Sequence, residues 1–340
     1  MLRGRVTQMN SRPEPISDAH GRQLGYLRVS VTDRCNLRCR YCMPEHGIPL
    51  LRHQDILAYE EIAAVARAAA ALGVTSVRIT GGEPLARRGV ANLVALLHDI
   101  EGIADLSMTT NGTLLAPAAE PLARAGLHRV NVSVDSLDPV EYAAITRGGD
   151  LDRAMAGVEA ALAAGLEPVK VNAVMLRGAQ DGGLRQWMEP FADLVRRLPV
   201  HVRFIEPMPL GDMTACEGCG LRAAQAIESF GATPARDVIR GAGPARYWRL
   251  DGSPGSLGLI APLSDPFCDH CNRLRLTPRG EVRSCLFASA DADLMPLLRP
   301  RVNAAAIAQA LSRCWRSKPG AGEPRMHGAH ATASMCQIGG

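Results

Sequence analysis

The feature that most constrains the fold is a regular alternation of short β-branched runs with alanine-rich stretches. The runs predict six strands, at residues 27–32, 77–80, 106–110, 129–135, 168–175 and 201–206. The stretches between them carry apolar residues at helical spacing, at 59–72, 90–99, 117–125, 151–164 and 184–197. Gly73, Gly126 and Gly165 each follow a predicted helix, where a C-cap glycine belongs. Strands that alternate with helices predict a parallel sheet with right-handed crossovers.

The predicted strands each have one apolar face and one polar face. In the first strand Arg28 and Ser30 share a face, and Leu27 and Val29 share the other. Parallel strands that helices cover on both faces are instead nearly continuous apolar runs. The apolar faces must therefore pack on the helices, and the polar faces line an interior cavity. We expect an α/β fold, an incomplete (βα)6 barrel like that of triosephosphate isomerase but hollow, with a C-terminal extension.

Basic side chains are expected inside this cavity. Arg28, Arg78, Lys170 and Arg203 lie on the polar faces of their predicted strands, and Lys170 is notable because the chain has 36 Arg but only two Lys. One interpretation pairs Lys170 with a buried carboxylate such as Asp135. The few inward carboxylates do not neutralise all of these cations, however, and unpaired buried charge is costly. The pattern favours an anionic, phosphorylated ligand.

Ten cysteines give the chain its second constraint. Six form two triplets: Cys35, Cys39 and Cys42, spaced C-x3-C-x2-C, and Cys268, Cys271 and Cys285, spaced C-x2-C-x13-C. A chain of 340 residues does not need disulfides to fold, so metal or redox chemistry is favoured. A triplet suits a four-iron cluster, because three irons are held and the fourth stays open. Zinc is an alternative, since short spacings are also its signature and His46 could complete a Cys3His site.

The position of the first triplet favours a catalytic site over a structural one. Cys35 follows the first predicted strand by three residues, so its loop lies at the carboxyl end of that strand, where barrel enzymes carry their active sites. The second predicted strand ends in Gly81-Gly82-Glu83-Pro84. Two glycines there let the backbone approach a ligand closely, and Glu83 can accept a hydrogen bond from an ammonium group.

Together these motifs resemble the radical S-adenosylmethionine (radical SAM) superfamily. Its signature is a C-x3-C-x-aromatic-C loop after the first strand, in which Tyr41 is the aromatic residue, and a Gly-Gly-Glu-Pro turn. Within it the chain is similar to the GTP 3',8-cyclases of molybdenum cofactor biosynthesis, in register from about residue 16 to its end. The matching segments are LRVSVTDRCNLRC at 27–39, RITGGEP at 78–84, TTNG at 109–112, NVSVDS at 131–136 and CDHCNRLRLTPRGEVRSCL at 268–286.

The resemblance implies two [4Fe-4S] clusters and S-adenosylmethionine as cosubstrate. The first triplet would hold the cluster that binds S-adenosylmethionine, and the second would hold a cluster whose open iron faces the guanine ring of GTP. The expected contacts to S-adenosylmethionine are Tyr41, Gly82, Ser133 and Met208. The expected contacts to GTP are Arg28, Arg78, Thr109, Lys170, Arg203, Arg273, Leu274 and Arg275. The terminal Gly339 and Gly340 are expected to reach the active site in a catalytic role.

The implied reaction converts GTP to 3',8-cyclo-7,8-dihydroguanosine 5'-triphosphate, the first step of molybdopterin biosynthesis. A 5'-deoxyadenosyl radical takes the ribose 3' hydrogen, and the ribose radical attacks guanine C8. Implied partners are an electron donor such as flavodoxin, a downstream cyclic pyranopterin monophosphate synthase and a second copy in a homodimer. Arg34, Arg38 and Arg40 surround the first triplet, where they are expected to attract an acidic reductant.

Three regions are expected: a flexible N-terminal segment at 1–20, the radical SAM barrel at 21–235, and a second-cluster region with the Gly-Gly tail at 236–340. No window of about 18 apolar residues predicts a membrane span, and the first residues do not resemble a secretory signal. We therefore expect a cytoplasmic protein. A net charge of +4 and 4% aromatic residues argue against a nucleic-acid partner.

Two other functions are compatible with parts of the pattern. A radical SAM peptide or protein maturase also carries auxiliary clusters, although it has no reason to line its cavity with Arg28, Arg78 and Lys170. A zinc-stabilised interaction protein would contain no iron. Four cysteines lie outside both triplets: Cys216 and Cys219, interpreted as incidental or structural, and Cys314 and Cys336, interpreted as core or surface thiols.

Overall fold

The computed structural model describes residues 14–176, 183–209, 213, 216, 218–235, 237, 239–241, 243–320 and 335–338. Their strands are β1 (Tyr26–Ser30), β2 (Ser76–Thr80), β3 (Asp105–Thr110), β4 (Arg129–Ser133), β5 (Lys170–Val174), β6 (His201–Ile205), β7 (Thr233–Pro234), β8 (Arg246–Arg249), β9 (Ser256–Ile260), β10 (Arg273–Leu276), β11 (Glu281–Arg283) and β12 (Ala292–Asp293). Their helices are α1 (Tyr59–Ala70), α2 (Val90–His98), α3 (Ala119–Arg124), α4 (Pro139–Thr146), α5 (Leu151–Ala163), α6 (Leu184–Arg197), α7 (Cys219–Glu228), α8 (Met295–Leu298), α9 (Ala304–Arg316) and α10 (Met335–Ile338).

All the strands form one open sheet, in the order β12-β11-β10-β1-β2-β3-β4-β5-β6-β9-β8-β7. The stretch from β10 to β9 is parallel, and antiparallel strands flank it on both sides. The sheet does not close on itself, so the prediction of an incomplete barrel is confirmed. The six predicted strands correspond to β1 to β6, and β9 and β10 add two parallel strands that the sequence did not reveal.

The apolar faces of the strands pack against the helices, as their alternation predicts. Leu27 and Val29 of β1 and Val77 and Ile79 of β2 are fully buried in one core. They meet the apolar face of α1, which includes Ile62. The polar faces of the same strands are left to line the interior of the barrel, and they carry the functional side chains. No helix among the described residues is long and apolar enough to cross a membrane.

The first described residues of the chain pack against the barrel. Residues 14–20 fall in the segment expected to be flexible, yet the Ile16 amide donates to the Leu72 carbonyl and Ser17 pairs with Gln23. A Cβ at Gly73 (φ 99°) would overlap Pro15, so the glycine lets this segment pack closely. The packed part of the chain therefore begins before residue 21. The division near residue 235 stays a prediction, although β8, β9 and β10 all join the barrel sheet.

Candidate active site

The two cysteine triplets lie at opposite ends of the barrel. The first follows β1, at the carboxyl end of the parallel strands. Cys268 and Cys271 precede β10, which runs parallel to β1, so they lie at the amino end. Cys285 follows β11, which is antiparallel to β10 and returns to that same end. The polar interior of the barrel lies between the triplets.

The loop of the first triplet is clamped by the Gly-Gly-Glu-Pro turn that follows β2. The Gly82 amide donates to the Thr32 carbonyl at 2.7 Å, and the Glu83 amide donates to the Arg34 carbonyl at 2.8 Å. A Cβ at Gly82 would lie 2.5 Å from the Arg34 oxygen, closer than any real side chain allows. Glycine at position 82 is therefore required by backbone packing, whether or not it also contacts a ligand.

The Glu83 carboxylate accepts hydrogen bonds from its own turn and from the end of β3. It is fully buried and accepts hydrogen bonds from the Asn111 amide at 2.7 Å, the Thr110 hydroxyl at 2.8 Å and the Leu85 amide at 3.0 Å. Burial raises its pKa to about 7, which these hydrogen bonds partly oppose. Glu83 therefore has a structural role in joining these segments, and its acceptance from a ligand's ammonium group stays a prediction, because a carboxylate offers about four acceptor sites.

Glu83→Gln is expected to lower the free energy of unfolding by about 1–3 kcal/mol, the cost of leaving a buried hydrogen-bonding group unsatisfied. The amide nitrogen of glutamine cannot accept, so at least one of the three bonds is lost. Chemical denaturation monitored by circular dichroism measures the change. The matched control is Glu120→Gln, because Glu120 is 75% exposed and its ion pair with Arg124 contributes little. Equal stabilities for the two variants would contradict the structural role.

Tyr41 is fixed by Asp135, a residue that the sequence did not single out as a site residue. The Tyr41 hydroxyl donates to one Asp135 oxygen at 2.8 Å, and the Val174 amide donates to the other at 2.9 Å. Burial raises the pKa of Asp135 to about 6. Asp135 therefore holds the aromatic residue of the cysteine loop against the barrel, and it does not neutralise Lys170 as the alternative interpretation supposed. Its place at the end of the polar face of a predicted strand was the available signal.

The first triplet has the donor set of an iron–sulfur site. Its thiols lie on one loop. Burial raises the pKa of Cys35 to about 11 and also raises the pKa of Cys39, and a hydrogen bond with Cys336, together with burial, raises the pKa of Cys42. Among the described residues, no group of three or more His, Cys, Asp or Glu side chains is placed to hold a single metal ion. Three thiols on one loop fit a four-iron cluster, which binds each thiolate through a different iron.

A row of guanidinium groups crosses the barrel interior at one level. The strand register pairs Arg28 with Arg275 on one side and with Arg78 on the other. Burial lowers the pKa values of Arg78 and Arg275 to about 10, and burial together with Arg275 also lowers the pKa of Arg28. The Arg78 Nε atom donates to the Ser107 hydroxyl at 3.1 Å. The structure thus brings together three of the residues predicted to bind GTP.

Lys170 and Arg203 stand on the other side of the interior and are bound to neutral oxygens. The Lys170 ammonium is fully buried and donates to the carbonyls of Arg240 at 2.6 Å and Gly241 at 2.8 Å. Burial and the neighbouring Arg203 lower the pKa of Lys170 to about 6. Arg203 donates to the side-chain oxygens of Asn131 and Asn172. None of these hydrogen bonds joins Lys170 or Arg203 to a carboxylate, so the positive charge of both side chains is available to bind an anion.

The other residues predicted to bind GTP do not all face the interior of the barrel. Thr109 faces the interior, where its hydroxyl accepts from Asn131 at 3.4 Å. Arg273 stacks over the Phe267 ring at 5.1 Å. Leu274 is fully buried in the hydrophobic core, on the opposite face of β10 from Arg275. The Leu274 side chain therefore does not line the cavity, and only its backbone is available to a ligand.

The second triplet is accompanied by Lys318, the other lysine of the chain. Lys318 is 4% exposed, and its ammonium donates to the carbonyls of Arg273 at 3.0 Å and Ser284. Burial alone would raise the pKa of Cys271, but Lys318 and Arg273 lower it. Lys318 thus favours the thiolate that a metal requires. The rarity of lysine in this sequence was a signal for Lys318 as well as for Lys170.

Two family models match consecutive parts of this chain. The Radical SAM superfamily model covers residues 29–189, and the Molybdenum Cofactor Synthesis C model covers residues 200–323. The curated GTP 3',8-cyclase of Syntrophomonas wolfei is 43% identical over 95% of this chain and 99% of its own length. The GTP 3',8-cyclases of Moorella thermoacetica and Geobacter sulfurreducens are 44% and 42% identical, each over 96% of this chain. The chain belongs to the GTP 3',8-cyclase family. It is therefore a radical SAM enzyme, with a [4Fe-4S] cluster and S-adenosylmethionine.

Solved structures share the fold of this GTP 3',8-cyclase family member at low sequence identity. Streptococcus suis SuiB bound to S-adenosylmethionine has a TM-score of 0.61 and 15% identity, over 89% of this chain and 68% of SuiB. SuiB bound to its precursor peptide SuiA has a TM-score of 0.60 and 14% identity, over 88% of this chain and 66% of SuiB. Likeness at this identity shows the fold alone, so the peptide on SuiB does not favour the maturase alternative.

The short helix α10, at residues 335–338, lies between the two triplets. The Cys336 thiol is buried and hydrogen-bonded to Cys42 of the first triplet. Ile338, two residues on, packs against Leu286, which follows Cys285 of the second triplet. Met208, an expected S-adenosylmethionine contact, packs against the same cluster. Gly339 and Gly340 lie outside the described residues, so their catalytic role stays a prediction.

Cys314, Cys216 and Cys219 belong to neither triplet. Cys314 is buried in α9, as expected for a core thiol. A disulfide joins Cys216 to Cys219 at the start of α7, and the Arg222 side chain donates to the Cys216 sulfur at 3.7 Å. This pair therefore belongs to the local structure at the start of α7.

Proposed function

We propose that the cations between the two triplets bind GTP for conversion to 3',8-cyclo-7,8-dihydroguanosine 5'-triphosphate, with S-adenosylmethionine as cosubstrate. One observation carries the proposal. Arg28, Arg78 and Arg275 stand side by side in one row, with Lys170 facing the same interior. A triphosphate brings negative charge to this cluster of cations and can accept charge-assisted hydrogen bonds from it. The relatives that match nearly the full length of this chain are named GTP 3',8-cyclases.

The first triplet is proposed to hold the cluster that binds S-adenosylmethionine. Tyr41, Gly82, Ser133 and Met208 are its proposed contacts, because they stand at the carboxyl ends of their strands or next to the tail helix α10. When bound, the cluster supplies the electron that cleaves S-adenosylmethionine to a 5'-deoxyadenosyl radical. The chain itself orients the cosubstrate: Asp135 fixes Tyr41, and Glu83 fixes the turn that carries Gly82.

The second triplet is proposed to hold a second [4Fe-4S] cluster next to the guanine ring. Its three thiols meet at one end of the barrel, and Lys318 stabilises a thiolate there. Arg273 and Arg275 on β10 border this end of the cavity, so they are placed for the base or ribose. The phosphates would then extend along the row of β1 and β2. In this proposed orientation the ribose lies between the two triplets.

We also propose a downstream partner, an assembly, two regions of the chain and a location for this enzyme. The product would pass to a cyclic pyranopterin monophosphate synthase, and a homodimer is the proposed assembly. The barrel is proposed to span 21–235 and the second-cluster region 236–340. The cytoplasm is the proposed location, because it supplies GTP.

Reversing the charges of Arg34 and Arg40 to glutamate is expected to slow flavodoxin-driven turnover about tenfold or more at low salt. Both side chains are exposed beside Cys35 and Cys39, where they attract an acidic electron donor. Formation of 5'-deoxyadenosine is the measurement, and turnover with dithionite should stay unchanged. The control is Arg67→Glu, on an exposed site near the end of α1 at the opposite end of the barrel. Unchanged flavodoxin-driven turnover would rule out this docking surface.

One experiment tests the function as a whole. The chain is reconstituted anaerobically with iron and sulfide, and 5'-deoxyadenosine is measured with and without GTP. We expect about eight irons per chain, four for each cluster, and cleavage of S-adenosylmethionine that depends on GTP. About four irons would remove the second cluster, cleavage indifferent to GTP would favour a maturase, and zinc without iron would favour an interaction protein.

A further inference from the structure

Arg129 belongs to the same row as the arginines proposed to bind GTP. The register pairs Arg78 with Ser107 and Ser107 with Arg129, so the row continues across β3 and ends on β4. Residues paired in neighbouring strands project from the same face of a sheet, so Arg129 also faces the interior. The alternation of side chains within β4 supports this placement, because Arg129 lies two residues before Asn131 and therefore on the same polar face.

The guanidinium of Arg129 is held rigidly on one side and unsatisfied on the other. Its Nε and Nη2 atoms donate to the two Asp105 oxygens, the first at 2.9 Å. A Cβ at Gly241 would overlap the guanidinium carbon, so the backbone of that loop lies directly on it. The third nitrogen, Nη1, is buried and has no hydrogen-bond partner among the described residues. An unsatisfied buried donor of this kind costs free energy unless a ligand accepts from it.

The surroundings of Arg129 are cationic and suit an anion with several charges. The same Gly241 loop supplies a carbonyl to Lys170, which places the lysine beside Arg129. Arg129 also lies close enough to Arg78 and Arg203 to disfavour their charged forms. Asp105 offsets part of this charge, but Arg240 shares it at 3.5 Å. The local balance remains positive without a ligand.

The position along the row indicates which part of a nucleotide reaches Arg129. Arg275 stands at one end of the row, beside the second triplet, and Arg129 at the other. Four strand spacings of about 4.8 Å separate them, about 19 Å along the sheet. A nucleotide with its base at Arg275 therefore brings only its far end, the terminal phosphate, to Arg129.

We propose that Arg129 is a specificity-determining residue: its Nη1 donates to the terminal phosphate and makes the site select a nucleoside triphosphate over the diphosphate. Asp105 is its positioning residue, because it fixes the guanidinium with Nη1 free. This inference rests on the proposed binding of GTP along the row. The competing explanation is an ion pair that stabilises the fold alone, which predicts no discrimination between the two nucleotides.

The test is nucleotide binding to the anaerobic enzyme with its clusters in place. Isothermal titration calorimetry gives the Kd of GTP and of GDP for the wild type, Arg129→Met and the double variant Arg129→Met/Asp105→Asn. The double variant leaves no buried carboxylate unpaired, so it keeps the test valid where the single variant folds poorly. Arg124→Met is the control, since that side chain is 71% exposed on α3.

The wild type is expected to bind GTP more tightly than GDP, and both Arg129 variants to lose about 10- to 100-fold in GTP affinity with little change for GDP. This is the range of one charge-assisted hydrogen bond. Equal losses for GTP and GDP, or no loss, would overturn the inference and leave the function standing. A wild type that binds GTP and GDP equally well would also overturn it. A wild type that binds neither would instead overturn the proposed function on which the inference rests.

Discussion

Cys268→Ala is expected to lower the iron content from about eight to about four per chain and to reduce GTP cyclisation at least 100-fold. Each cluster contains four irons, and a triplet reduced to two thiols does not hold one. The first cluster should survive, because its triplet lies at the other end of the barrel. The measurements are iron and sulfide analysis, electron paramagnetic resonance of the reduced protein, and product formation from GTP.

The matched control for this substitution is Cys314→Ala. Cys314 is a buried thiol of α9 outside both triplets, so the variant should keep both clusters and its activity, with a modest loss of stability from the missing sulfur atom. If Cys268→Ala kept all its iron, the second triplet would not be a cluster site. If it lost all its iron, the two sites would not assemble independently.

Lys170→Ala is expected to raise the KM for GTP about 10- to 100-fold while both clusters still assemble. Lys170 is fully buried at the first residue of β5, at the opposite strand end from the first triplet and five strands away from β10, so its loss is expected to remove the proposed phosphate contact and to leave the cysteines in place. Steady-state kinetics together with iron analysis separate these effects. Loss of iron in this variant would show that Lys170 has a structural role at a cluster.

Lys170 should also couple GTP binding to proton uptake. Its pKa of about 6 in the free protein makes it mostly neutral above pH 7, and a phosphate nearby would raise that pKa by favouring the ammonium form. Binding then takes up as much as one proton, and GTP affinity falls as the pH rises above 6 toward the pKa of the complex. Calorimetry in buffers with different ionisation enthalpies measures this uptake.

The nearby groups Arg78, Arg129, Arg203 and Asp105 surround Lys170 electrostatically, and the phosphates themselves titrate. The difference in proton uptake between the wild type and Lys170→Ala isolates the lysine from all of them. An identical uptake in the two proteins would contradict the assignment of the proton to Lys170.

The alternation within strands made the barrel and its interior predictable. Arg28 and Lys170 could be placed inside because side chains in a strand alternate between its two faces. The same rule places Arg129 on the polar face of its strand, two residues before Asn131, and its position as the first residue of the strand made that placement less evident. The sequence did not reveal β10, although Arg273–Leu276 also alternates, since pairing with β1 joins residues about 250 positions apart.

Contacts between segments that are distant in the chain could not be predicted from the sequence. Glu83 was expected to accept from an ammonium group, and its oxygens also accept from Thr110 and Asn111 at the end of β3, donors that only the folded chain brings to it. Leu274 was included with its neighbours in a motif, and its side chain points into the core because Arg275 takes the inner face. In both cases the motif was right and the individual roles depended on packing.

Both lysines of this chain are buried, Lys170 in the cavity and Lys318 beside the second triplet. Every other basic side chain apart from histidine is an arginine, so the cationic charge on the surface is carried by guanidinium groups. Guanidinium groups keep their charge at any physiological pH and are not acetylated as lysines are. Lysine acetylation therefore has no exposed side chain to modify, and the surface charge of this protein is insensitive to that kind of metabolic regulation.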